Sequence, residues 1–121
     1  MKPSSELDLL IAEKVMGLTV MPGSEEGKTV GDYIGPLYFS NNRWKPLDHY
    51  STDISAAWEV VEKMKEDYMV RLQTNILGDW ECYFTAPMES ETIHYAGISK
   101  SAPHAICLAA LRVKGIEYET E

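Results

Sequence analysis

Ser99, Lys100 and Ser101 stand directly before the run "APHAICLAALRVKG", whose composition is that of a helix. Ser101 can cap its first turn, Pro103 falls where a missing N–H costs nothing, and Gly115 lies where helices stop. Unpaired N–H groups at such a start carry partial positive charge, and a lysine beside them favours an anion. Ordinary capping next to a solvated lysine explains the same residues. A nucleotide held there would also need further cations and a flat surface for its base. Arg71 and Arg112 are candidates for the first role, Trp44 and Tyr83 for the second, with Arg43, Trp80 and Tyr95 of the same kind. Core packing is the competing account of every such aromatic.

Other reactive side chains form less complete sets. His104 and Cys107 are three apart on one helix and suit two ligands of one metal, but His49, His94 and Cys82 show no paired spacing that would complete a tetrahedral site. A nucleophile built from Cys82 or Cys107 with His94 would need the two groups to meet in a cleft, and nothing in the spacing requires it. Glu59 and Glu62 read as a carboxylate pair or as a solvated helix face. The chain has no Walker loop, dinucleotide glycine motif or nucleophile elbow. The expectation is therefore no catalytic residue, no metal and no cofactor.

A chain of 121 residues, 45% of them hydrophobic, suits one domain spanning 1–121 around one core. Its net charge is −8, and no block of lysine or arginine offsets it, which disfavours nucleic acid as a partner. A small anion needs only two or three local donors and stays open. No stretch reads as a membrane span, and "MKPSSELDLLIAEK" sets acidic residues among its apolar ones, unlike a secretory signal, so a cytosolic protein is expected. Cys82 and Cys107 read as reduced thiols packed as small apolar groups.

These residues need elements to position them. A first helix is predicted from about Glu6 to Met16, capped by Ser4 or Ser5, with Leu7, Leu10, Ile11 and Val15 inward. "MPGSEEGKTVGDYIG" reads as an exposed loop, and Tyr33 to Tyr50 as short strands around a turn at Asn41-Asn42. A second helix, capped by Thr52 or Asp53, should bury Ile54, Ala57, Trp58, Val61 and Met64. Three antiparallel strands follow. Tyr68, Val70, Leu72 and Ile76 share one face of the first, Gly78-Asp79 and Met88 to Glu91 make the turns, and Thr92 to Ser99 forms the last. The final helix is apolar around most of its circumference, so it should be covered on more than one side, by the sheet and by another helix or a second subunit. That apolar surface motivates an expected homo-oligomer, most simply a dimer.

"LDLLIAEKVMG", "YSTDISAAWEVVEKM", a β-meander and "SAPHAICLAALRVKG", in this order, resemble the phage ABA sandwich domain. The resemblance runs from about Leu7 to Gly115. It implies an α+β fold, an αβα-layered sandwich with an antiparallel meander between helices, in a small phage or prophage protein acting in the host bacterial cytosol. Small acidic phage proteins include sponges for nucleotide signals of antiphage defence, such as cyclic ADP-ribose isomers and cyclic oligonucleotides. By that analogy the expected function is non-enzymatic sequestration of an anionic nucleotide, with Lys100, Ser101, Ser99, Arg71, Arg112, Trp44 and Tyr83 as ligand contacts. The alternative is a protein–protein interaction module that inhibits or regulates a host or phage protein through an acidic surface.

Overall fold

In a computed structural model the described residues are 1–20, 29–30, 33–34, 37–87 and 92–116, with side chains for 1–20, 37–86 and 93–116. The chain runs through α1 (Ser5–Leu10), a π-helical turn (Ile11–Val15), β1 (Thr19–Val20), β2 (Thr29–Val30), β3 (Tyr33–Ile34), β4 (Leu37–Ser40) and β5 (Arg43–Pro46). It continues through α2 (Ile54–Met64), β6 (Met69–Thr74), β7 (Trp80–Pro87), β8 (Thr92–Ser99) and α3 (Ala102–Val113). All strand pairs are antiparallel, in sheets of order β1-β4-β5, β2-β3 and β6-β7-β8. The result is the α+β sandwich that the periodicities and the resemblance implied.

Ser4 begins the first helix, its hydroxyl accepting from the Leu7 N–H at 3.2 Å. The helix widens at Ile11, whose carbonyl accepts from Met16 five residues on, and it stops before Gly17 at φ +70°. Leu7, Ile11 and Val15 are buried as expected, whereas Leu10 is only half-buried. Asn41 and Asn42 both have positive φ, 52° and 64°, the backbone that a two-residue hairpin turn demands. Pro46 is tolerated because β5 is an edge strand. Most of the expected loop after Met21 lies outside the described residues, as does the Met88 to Glu91 turn; Thr29–Val30 and Tyr33–Ile34 pair as a short ladder.

Three inward assignments, Ile54, Trp58 and Ile76, are corrected. Asp53 caps α2, and the helix buries Ala56, Ala57, Val60, Val61 and Met64, but Ile54 and Trp58 remain 48% and 49% exposed. At about 100° per residue, Trp58 lies roughly 130° from the centre of that buried arc, which is built from small side chains that let α2 approach α3. Its indole instead lies toward Glu62 and, after Lys65, helps to hold that carboxyl below its ordinary range. Ile76 is fully exposed because the strand has already ended, and the Asn75 side chain organises the turn by accepting from the N–H groups of Leu77 and Asp79.

The register fixes the faces of the meander. Leu72, Cys82 and Gly97 lie side by side on one face with Val70, Phe84 and Tyr95, and α3 rests on β7 and β8. A methyl group at Gly97 would meet Ala105 O at 2.3 Å and Ala109 N at 2.5 Å, so strand and helix are in backbone contact. α2 and the π turn also pack on α3. Every residue of α3 from Ala105 to Leu111 is therefore buried, and the apolar circumference that motivated a second subunit is covered within the chain.

Candidate functional site

The start of α3 is well ordered by its own groups. Ser101 caps the helix by accepting from the His104 N–H, its carbonyl accepts from Ala105, and Pro103 has no N–H to offer. Ser99 Oγ accepts from the Ser101 N–H at 3.3 Å and lies 2.7 Å from His104 Nδ1. The other ring nitrogen, Nε2, meets the Met1 carbonyl, which can only accept. In the neutral ring, Nε2 is then the donor and Nδ1 accepts from the Ser99 hydroxyl. Lys100 lies 2.6 Å from Asp79 Oδ1, an oxygen shielded from solvent whose partner is this ammonium. An anion arriving here would compete with Asp79 for Lys100 and with the caps for the backbone.

The remaining candidates are distributed over the fold. Arg71 and Tyr83 face each other across β6 and β7 on the sheet face away from α3, with the guanidinium 4.6 Å from the ring centre. Glu81 stands beside them, accepting from Gln73, Asn75 and the Tyr83 hydroxyl, and these hydrogen bonds hold its carboxyl below the ordinary range. One ring face of Tyr83 is thus covered, and a carboxylate lies next to it. Ser99 pairs with Trp80 on the opposite face, and Tyr83 is a further ~10 Å along β7. Arg112 is exposed in the last turn of α3, about 15 Å along the axis from its start. Trp44 packs on Phe39 across the β4–β5 hairpin, centroids 5.2 Å apart. The structure brings together Ser99, Lys100 and Ser101, and separately Arg71 and Tyr83. It does not join these groups into one pocket.

Among the described residues no group of three or more His, Cys, Asp and Glu is placed to hold a metal ion. Cys82 and Cys107 are buried thiols, and burial pushes both upward, Cys82 to about 12, so neither is a ready nucleophile. Glu62 is drawn to Lys65 at 2.7 Å rather than to Glu59. Glu59 instead meets Asp48, and burial together with that neighbouring carboxylate raises its pKa.

A groove of about 560 Å³ opens along the outer side of the first helix, lined by Ser5, Glu6, Leu9, Leu10, Glu13 and Val20. The inward face of the same helix is filled by Leu7, Ile11 and Val15, so Leu9 and Leu10 form a second apolar stripe that only half enters the core. Glu6 and Glu13 flank it, seven residues apart and about 10 Å along the axis. Glu13 has an exposed contact with Lys14 at 3.1 Å, of a kind worth little. Behind the groove Asp8 is almost fully buried. Its Oδ1 accepts from the Ser51 N–H at 2.8 Å and its Oδ2 lies 3.8 Å from His49, while burial raises its pKa. None of these residues was a candidate from spacing alone. The signal was the density of "LDLLIAEKV", which holds more apolar residues than one buried face can use.

No curated protein and no solved structure matches the chain. No helix among the described residues is long and apolar enough to cross a membrane. The sequence profile of the phage ABA sandwich domain matches residues 9–111, most of the chain, and covers α2, the whole meander and all but the last two residues of α3. The protein belongs to the phage ABA sandwich domain family.

Proposed function

We propose that this phage-family protein is a non-enzymatic interaction module, which inhibits or regulates a host or phage protein by binding it. The observation that carries this reading is the groove along α1 and the π turn, apolar at its floor and acidic at both ends. A net charge of −8 extends the same character over the molecule and would speed encounter with a basic partner. The start of α3, by contrast, has its lysine engaged by Asp79 and its serines engaged in capping.

A tagged full-length protein used as bait in bacterial lysate, with and without its phage, tests the reading. The expected result is a captured protein that is released by salt and lost with the Glu6→Lys/Glu13→Lys variant, while Lys100→Ala captures it unchanged. A second reading, sequestration of an anionic nucleotide, draws support from the Arg71–Tyr83 stack, which offers a cation beside an aromatic ring. It predicts thermal stabilisation by a cyclic nucleotide or cyclic ADP-ribose isomer. At 100 times its dissociation constant such a ligand would add about 2.7 kcal/mol, and its recovery intact after denaturation would mark binding without turnover.

A further inference from the structure

From the pattern along α1 we infer that the groove seats an amphipathic, basic α-helix of the partner protein. The inference rests on the interaction-module reading and specifies its ligand. Read along the wall, the groove presents Glu6, then Leu9 and Leu10, then Glu13. A helix lying along it needs apolar side chains at two adjacent positions and a cation on each side of them, at i, i+3, i+4 and i+7. That is the same spacing with the charges reversed. Leu9 and Leu10 are half-buried before any partner binds, and Val20 closes the far side, so the occupant's apolar residues gain contact on two walls. The carboxylates at both ends select against an acidic segment and against an anionic membrane surface, and set the register of a basic one. The Lys14 contact with Glu13 is exposed and yields to a better-placed cation.

The probe is a 15-residue alanine-based helical peptide with leucines at its seventh and eighth positions and lysines at its fourth and eleventh. It is titrated into the isotopically labelled full-length protein and followed by amide NMR shifts. The expected result is saturable shifts at Leu9, Leu10, Glu13 and Val20, with a glutamate-for-lysine peptide at least about tenfold weaker. In Glu6→Lys/Glu13→Lys the preference inverts toward the glutamate peptide. In Glu6→Gln/Glu13→Gln, which leaves the helix surface uncharged, the preference disappears. Shifts that map elsewhere overturn the inference, as does equal binding of a peptide with the leucines moved apart, or an unchanged preference in both variants. If the peptide fails while lysate capture still depends on Glu6 and Glu13, the helical ligand is wrong and the interaction module stands. If capture is also indifferent to them, both fall.

Discussion

Where α3 crosses β8 the two backbones touch, and where α1 and the π turn run toward β1 there is a groove of about 560 Å³. The first contact is permitted by one missing side chain, at Gly97, and by Ala105 and Ala109 opposite it. The second is lined by the larger side chains of Leu9, Leu10 and Val20, with Ser5, Glu6 and Glu13 around them. Both regions are apolar at their centre. The difference lies in side-chain size, and it separates a surface finished within the chain from one that still has contact to gain.

The largest expected effect falls on the finished surface. In Gly97→Val the new side chain meets backbone atoms that no rotamer change can move, and the loss should be about 4 kcal/mol or more. Chemical denaturation checks it, and a stable Gly97→Val protein would break the account of α3. A paired measurement then tests the contrast directly. Ile106→Ala, in the fully buried helix, should cost about 2 to 5 kcal/mol, and Leu10→Ala, on the groove wall, about 1 kcal/mol or less. Equal losses would mean that the groove wall is part of the core.

The alternation of "WECYFTAP" and "TIHYAGIS" and the caps of α2 and α3 were legible because each is a local property, set by periods of two and 3.6 and by one hydroxyl or carboxylate at a fixed offset. Gly97 was not, because it looks like any strand glycine until a helix is laid on it. Trp58 misled for the opposite reason. Periodicity fixes an arc of the helix, and which edge of that arc faces α3 is decided by the small residues Ala56, Ala57 and Val60. Of the candidate site, the pairing of Ser101 with its helix was legible. Asp79, which holds Lys100 from another turn, was not. The groove needed the position of β1, a strand of two residues with no pattern of its own.

Smaller losses are expected where side chains already meet water. Trp58→Ala should cost about 1 kcal/mol, since half of the indole already lies in water, and a loss of 3 kcal/mol or more would place Trp58 in the core after all. Asp8 offers a pH-dependent test. Its folded-state pKa is raised by burial, so the folded protein holds this proton more tightly than the unfolded chain. The charge therefore costs stability above the raised pKa, and the cost disappears below the unfolded value. Asp8→Asn can keep the acceptor for the Ser51 N–H and should melt at or slightly above the parent at pH 8, with the gap closing toward pH 4. A variant several degrees less stable at pH 8 would show that the ionised carboxylate is worth more than its burial costs.

Hydrogen exchange on the protein, free and bound to its captured partner, shows which surface the partner covers. New protection is expected over residues 5–20, strongest at Leu9, Leu10 and Glu13, with exchange at Ser99 to His104 unchanged. Protection confined to Ser99 to His104, with residues 5–20 exchanging as in the free protein, would contradict it and return the start of α3 to the centre of function.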